Sequence, residues 1–428
     1  MSPSMGPSMN YDITIIGAGP VGLSLAKAFA DMQLRVALVE RQPEANLSDP
    51  AFDGREIALT HASMRLMREL GLWRHIPESE ISPLRSAKVM NGDSAHSMFI
   101  GSDLTGHSQL GTFIPNHQIR KAAWLAMQET PGITLHTGVH AKSVRTHLQE
   151  TSLQLNDGSR LTSSLLIAAD SRFSDTRRAI GIDADLHDFG KSMLVCRVRH
   201  EVDNEQTAWE WFGHGQTLAL LPLDNHRASV VITLTGEESR RLSKLSEEDF
   251  NQEVTERYGH RLGAMCLDSS RHVYPLVGVY ARRFVSTRFA LAGDAAVGMH
   301  PVTAHGFNLG LASIERLCDS VRIAVQQGRD VGDATLLARY QRRHRQGTLP
   351  LYLTTRAIVE LYTNDRAPAR WLRETTLRAG NRLLPFRRAI ASALVDDGPV
   401  DVPLWQRVRD GFAHLKPNLP MPKLSEPH

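Results

Sequence analysis

Two glycine-bearing strand ends, more than 250 residues apart, restrict what this chain can fold into. The first is the apolar run Asp12–Ile16, followed by Gly17-Ala-Gly19-Pro-Val-Gly22 and a helical pattern over Leu23–Met32. The second is Phe289-Ala-Leu-Ala-Gly-Asp294, followed by a Gly/Pro-bearing turn and a helical pattern opening at Gly306-Phe-Asn308-Leu-Gly310. Each puts a tight turn at the carboxyl edge of a buried strand and a row of unbonded helix N–H groups just beyond it. Between them lies a β-rich block, so the order reads as a domain inserted into an α/β fold.

The first motif matches GxGxxG in a strand–turn–helix context. Gly17 permits the turn, Gly19 lets the backbone approach a pyrophosphate, and Gly22 lets the helix pack on the strand. Glu40 closes the next strand, Arg35–Val39, where an acid holds both ribose hydroxyls and disfavours a 2′-phosphate. The bland alternative is a tight turn with no ligand; the strand, helix and acid together argue for a dinucleotide. GxGxxG occurs once, so any nicotinamide nucleotide binds transiently. Asp294 is placed to accept from sugar or polyol hydroxyls, and the alternative is a helix-capping Asp. A third strand ends in an acid at Leu165-Leu-Ile-Ala-Ala-Asp170, with Ser171, Arg172, Ser174 and Arg177 after it. Asp170 is either a phosphate or ribose contact or an N-cap.

Periodicity predicts helices over His61–Leu72, Asn116–Glu129, Ser246–Tyr258 and Gly306–Gln326. Strands are expected between Ile133 and Ile167, with a hairpin at Asn156-Asp157-Gly158, then through residues 193–234 and at Val273–Val279 and Arg288–Ala292. From Thr335 on the pattern is helical, with breaks expected at Pro350, Pro368, Pro385 and Pro403. The division expected is 9–180 and 285–345 for the two parts of a nucleotide-binding domain, 181–284 for an inserted β-rich domain, and 346–428 for a helical region.

Several classes are disfavoured. A net charge of +3 gives no global nucleic-acid signal. Three scattered cysteines without CxxC argue against a disulfide framework or a cysteine zinc site and suit a reducing cytosol. The N-terminal segment lacks the charged and apolar regions of a secretory signal, and no run of about 18 apolar residues suggests a membrane span. There is no GxSxG, no HExxH and no paired-acid spacing, and no metal site is expected.

In this order the three motifs resemble the FAD-dependent aromatic hydroxylases, the para-hydroxybenzoate hydroxylase superfamily, and within it the hydroxylases of ubiquinone biosynthesis. Further stretches carry the resemblance: Arg55-Glu-Ile-Ala-Leu-Thr-His-Ala-Ser-Met with Leu70-Gly-Leu-Trp73, Ile114-Pro-Asn116, and Glu210-Trp-Phe212 with Leu218-Ala-Leu-Leu-Pro222. The resemblance implies an α/β, FAD-binding Rossmann-like fold with an inserted β-rich substrate domain and a C-terminal helical region. It implies that Gly17, Gly19 and Gly22 hold the FAD pyrophosphate, Glu40 the adenosine ribose and Asp294 the ribityl chain. Arg55 would reach the pyrophosphate or ribityl, Asn116 the flavin edge, and Asp170 would belong to the middle motif. Amides near Gly306 and Asn308 would face the flavin pyrimidine edge, and Pro301 would lie beside the reactive face. The chain departs from the pattern at Ala168-Ala-Asp170-Ser171, where the family usually has Gly-Ala-Asp-Gly, at Val297, where it has His, and at His305, which takes the place of an amide or lysine. His305 would orient a phenol, bond the flavin or pack.

The implied reaction is reduction of FAD by NAD(P)H, addition of O2 to form a flavin hydroperoxide, and transfer of OH to an electron-rich ring of a polyprenylated phenol. Alternatives are a catabolic phenol or aromatic-acid hydroxylase, a same-fold isoprenoid reductase or halogenase, a plain NAD dehydrogenase and a non-catalytic flavin scaffold. Trp209, Trp211, Phe212 and Met193 either line the substrate pocket or form strand core. Residues 339–388 hold twelve arginines and no lysine, with Arg373, Arg378, Arg382, Arg387 and Arg388 set among Trp371, Leu372 and Phe386. Such a region suits peripheral contact with anionic lipid, a subunit interface or a solvated face. A cytoplasmic, membrane-associated enzyme assembled with other ubiquinone-biosynthesis proteins is the expected setting.

Overall fold

The computed structural model describes residues 8–92, 94, 97–213, 215–300, 306–363, 375 and 384–396. One sheet runs in the order Val285–Ser286, Phe289–Leu291, Arg160–Ala168, Ser8–Ile16, Val36–Glu40, Ile133–Thr137. From Phe289–Leu291 to Ile133–Thr137 its neighbours are parallel. Such strands are covered on both faces and read as continuous apolar runs, which Ile13, Ile15, Val36, Leu38, Leu165 and Ile167 satisfy, all fully buried. Register places Ile16 beside Ala168 and Ala168 beside Leu291. The three motif-bearing strand ends therefore stand side by side at one level. Backbone bonds continue the ladder past them: Gly17 N donates to Val39 O, Ala169 N to Ile16 O and Ala292 N to Ala168 O, at 2.8–2.9 Å.

The helices Pro20–Ala30 and Gly306–Gln326 start from the first and third of these ends. Gly310 is where they meet: a Cβ there would lie 2.7 Å from Val21. A three-stranded sheet of Glu56–Leu59, Gly111–Pro115 and Ser82–Leu84 carries Arg55 and Asn116 at its edge.

The second large sheet has the order Val297–Gly298, His272–Ala281, Ala184–His200, Arg227–Leu234, Thr217–Pro222, Thr207–Phe212, Ser86–Asn91, Ser97–Gly101. It draws strands from well outside residues 181–284, through a parallel pairing of Ser86–Asn91 with Thr207–Phe212. Over the strands next to the cavity its side chains alternate between two faces. Leu194, Cys196, Leu218, Leu220, Val230 and Ile232 form a core with Phe250, Val254 and Tyr258 of the helix Glu247–Arg257. Met193, Val195, Phe212, Ala219, Leu221 and Val231 face the opposite way, into a cavity. Trp209 and Trp211 pack on the core side, whereas Phe212 and Met193 reach the cavity.

Two local expectations change. A helix at Gly236–Lys244, capped by Thr235, precedes the expected one. The helix Ala334–Thr363 runs through Pro350 without a break. Proline there removes one N–H, a loss of about 3 kcal/mol. Burial on either side offsets it: Tyr340, His344 and Thr348 before it, Tyr352, Thr355 and Val359 after it. Among the described residues no helix is long and apolar enough to cross a membrane. In the helix Leu384–Val395, Arg387 Nε donates to Phe99 O at 2.7 Å, while Arg388 is exposed. Trp371, Leu372, Arg373, Arg378 and Arg382 lie outside the described residues.

Candidate active site

The glycine loop is tight for a stated reason. Gly17 has φ +104°, and a Cβ would meet Ala169 O at 2.5 Å. At Gly22 a Cβ would meet Gly17 O at 1.8 Å, so only glycine lets the helix begin so close to the strand. Gly19 differs: nothing lies within 4 Å of its Cβ position, which borders the cavity. Glu40 braces the loop, accepting from Ala18 N at 2.7 Å and Gln42 N at 2.8 Å, and both oxygens keep lone pairs for further donors.

Asp170 touches the next helix without being its N-cap, which is Ser174. One oxygen, Oδ2, accepts from Thr176 Oγ1 at 3.1 Å beside the Ser174-capped helix Asp175–Ala179. The other, Oδ1, is buried with no hydrogen-bond partner among the described residues, and the residue lines the cavity. A buried oxygen left this way costs about 1–3 kcal/mol, so it awaits a donor. Buried Arg177 ties the middle loop to the Gly-Asp loop, donating to Arg172 O at 3.1 Å and Ala295 O at 2.9 Å.

Asp294 lines the cavity and pairs with Arg172 at 3.0 Å, a residue of the middle motif to which the sequence assigned no role. Arg55 and Asn116 both bond Asp53. Arg55 donates to Asp53 Oδ2 at 2.6 Å and Asn116 Nδ2 to the same atom at 2.7 Å. Tyr274 closes the group, its hydroxyl donating to Asp53 O at 2.8 Å under the Arg55 guanidinium. Burial works against both charges, but the pair prevails, so the Asp53 carboxyl is held below and the Arg55 guanidinium above its ordinary range. The signal for Asp53 was its place one glycine before Arg55.

The structure brings Gly19, Glu40, Arg55, Asn116, Asp170, Asp294 and Gly306 to one cavity of about 750 Å³. Gly17 and Gly22 shape the turn beneath it. Asn308 does not turn its side chain into this space. It is buried, donating to Ala58 O at 2.8 Å and accepting from Thr60 N at 3.3 Å, so its side chain is taken up in tying the helix to the strand Glu56–Leu59. Pro301 and His305 lie outside the described residues. His300, just before them, lines the cavity against the Phe189 ring at 4.7 Å. Burial, with Arg172 nearby, pulls its pKa down to about 4, so the imidazole is neutral at physiological pH. Glu56 also lines the cavity; burial raises its pKa to about 7 against the pull of Arg197 at 2.8 Å.

Residues 10–348 match a family described as an FAD binding domain. The chain belongs to the FAD-binding-domain family. Its curated relatives include "Ubiquinone hydroxylase UbiM" of Neisseria meningitidis, 46% identical over 90% of this chain and 85% of that protein. "Ubiquinone hydroxylase UbiL" of Rhodospirillum rubrum is 32% identical over 88% of this chain and 87% of its own length. Among solved structures, p-nitrophenol 4-monooxygenase PnpA of Pseudomonas putida superposes with a TM-score of 0.73 at 16% identity, covering 91% of this chain and 99% of that one, a likeness of fold. This member of the family is a flavin-dependent hydroxylase with an FAD-binding Rossmann-like fold, an inserted β-rich domain and a helical C-terminal region.

The residues present fit FAD. The open space over Gly19 admits a pyrophosphate, and the unpartnered Asp170 oxygen and the lone pairs of Glu40 await hydroxyl donors. The start of the Gly306–Gln326 helix offers N–H groups to an anionic ring edge. Among the described residues no group of three or more His, Cys, Asp or Glu is placed to hold a metal.

Proposed function

We propose that this enzyme hydroxylates the aromatic ring of a ubiquinone-biosynthesis intermediate, using FAD, O2 and transiently bound NAD(P)H. One observation carries the reading: a single cavity is lined at one end by the three motif-bearing strand ends and at the other by the apolar face of the second sheet. Relatives that span most of the chain and are named as ubiquinone hydroxylases supply the substrate class. Bound FAD supplies electron acceptance and the activation of O2 toward an electron-rich ring.

The protein's part is binding, orientation and exclusion of water. Gly17, Gly19 and Gly22 hold the pyrophosphate, Glu40 the adenosine ribose, and Asp170 a further hydroxyl. Asp294, steadied by Arg172, holds the ribityl chain, and the Asp53–Arg55–Asn116 group braces the flavin edge. N–H groups at the start of the Gly306–Gln326 helix stabilise negative charge on the pyrimidine edge. Phe212, Met193, Leu221 and Val231 press the substrate ring from above. Residues 9–180 and 285–345 serve the flavin and 181–284, with the strands of 86–101, the substrate. The arginine-rich region after 339 contacts anionic membrane surface in the cytoplasm, where a polyprenylated substrate resides and other enzymes of the route assemble.

Quinone-intermediate profiling by mass spectrometry in a deletion strain tests this. Accumulation of an under-hydroxylated ring that disappears on complementation is expected. An unchanged profile, together with NAD(P)H oxidation insensitive to phenols in the FAD-loaded protein, overturns it.

A further inference from the structure

The cavity face of the second sheet carries one acid that no other side chain uses. Along Thr207–Phe212 the side chains alternate, so Glu210 points to the cavity between Trp209 and Trp211, which point away. Across the sheet its register neighbours are Val89 on one side and Ala219, Val231 and Val195 in succession on the other. A carboxyl stands alone in a row of apolar side chains. Among the described residues it has no side-chain hydrogen bond and no ion pair.

Other titratable groups on the strands packed around it are accounted for. On the cavity face of Ala184–His200, Lys191 donates to Gly215 O at 3.1 Å and Arg197 pairs with Glu56 and Glu80. Tyr274 donates to Asp53 O. Arg199 and Arg227, register partners at the far end of this face, pair with Asp268 at 3.1 Å and Asp224 at 2.6 Å, and Thr217–Pro222 brings no titratable group. Lys88 lies opposite Trp209, on the other face. Tyr258 approaches through the sheet, its hydroxyl donating to Ala219 O at 2.7 Å.

We propose that the Glu210 carboxyl is a positioning and specificity residue for the ring hydroxylation: it hydrogen-bonds an oxygen carried by the substrate ring, and so selects uncharged phenolic or quinol rings over aromatic carboxylates. Glu210 is half-buried and lines the cavity. Crowding by protein atoms alone raises its pKa to about 8, so at neutral pH it carries a proton and both donates and accepts. A ring carboxylate would face either an acid that does not compensate its charge or, above that pH, a second anion. A chain gains nothing for its fold from an unpaired carboxyl in an apolar face, and such groups cluster where ligands bind.

This rests on the proposed function, and the experiment separates the two. FAD-loaded wild type, Glu210→Gln and Glu210→Leu are titrated with 2-methoxyphenol and with 4-hydroxybenzoate, following the visible flavin spectrum, at about pH 6.5 and about pH 9. For wild type, 2-methoxyphenol should bind about tenfold more weakly at the higher pH, as the carboxyl loses its proton. Glu210→Gln should bind it equally well at both values, because its amide still donates and does not titrate. Glu210→Leu should bind it several-fold more weakly at the lower pH and lose the preference over 4-hydroxybenzoate. Equal affinities and equal pH profiles in wild type and Glu210→Gln, with normal flavin content in both, overturn the role of Glu210. Ring hydroxylation survives that outcome if wild type still oxidises NAD(P)H faster with a phenol. If Glu210→Leu fails to fold, the pH profile of Glu210→Gln decides alone.

Discussion

Gly19→Ala should leave the apoprotein intact and weaken its hold on FAD. The backbone at Gly19 is ordinary for any L residue, φ −67° and ψ 176°, and the added methyl meets no protein atom within 4 Å. Its effect on the apo fold is therefore expected within about 0.5 kcal/mol, the range of substitutions that touch nothing. The same methyl occupies the space through which the pyrophosphate must pass. Overfilling a close contact costs about 1–3 kcal/mol, which corresponds to a Kd raised roughly 5- to 150-fold. Gly22→Ala is the contrasting control. Its methyl would sit 1.8 Å from Gly17 O, so helix or strand must move. It should lower the apo melting temperature by several degrees, at roughly 2–4 °C per kcal/mol for a domain of this size. The assay pairs apo thermal melting with FAD titration by flavin fluorescence quenching. Wild-type FAD affinity in Gly19→Ala refutes the path of the pyrophosphate over this residue. A lowered melting temperature in apo Gly19→Ala refutes the claim that the space is empty of protein.

Asp294→Ala should purify with little or no yellow colour, and full flavin occupancy would remove Asp294 from the ribityl role. Glu56 has a folded pKa of about 7 against an ordinary value of 4.5, raised by burial. An acid shifted upward binds protons better when folded, so its contribution to stability is present below about pH 4.5 and lost as pH rises through 7, on the order of 3 kcal/mol in all. Glu56→Gln should therefore narrow the stability difference between about pH 5 and about pH 7.5 in urea unfolding; an undiminished slope would show that other groups set it. Arg177→Met removes both bonds, to Arg172 O and to Ala295 O, that tie the middle loop to the Gly-Asp loop. It should cost about 1–3 kcal/mol of stability and lower FAD affinity together; a change in neither would make those bonds incidental.

The parallel sheet was legible because buried parallel strands read as apolar runs, and four of them lead into Gly17, Glu40, Asp170 or Asp294 at their carboxyl ends. The helix Gly306–Gln326 was legible from its period alone. Side-chain partners were harder to read. Asp53 stands two residues from Arg55, a local signal, but spacing carries no mark of its bond to Asn116, 63 residues away. Along Trp209-Glu210-Trp211-Phe212 the alternation was visible, but both faces of that sheet are covered, so period two could not tell which was inward. Pairing of Ser86–Asn91 with Thr207–Phe212 is a parallel contact between distant segments with no local signal. Pro350 misled because local propensity was outweighed by the buried residues flanking it.

Because the second sheet borrows Ser86–Asn91 and Ser97–Gly101 from the front of the chain and Val297–Gly298 from the back, the support of the cavity is woven rather than stacked. Exchange of residues 181–284 with those of a cousin would graft a lid missing its own outer staves. A productive chimera must carry the early hairpin along with the insert.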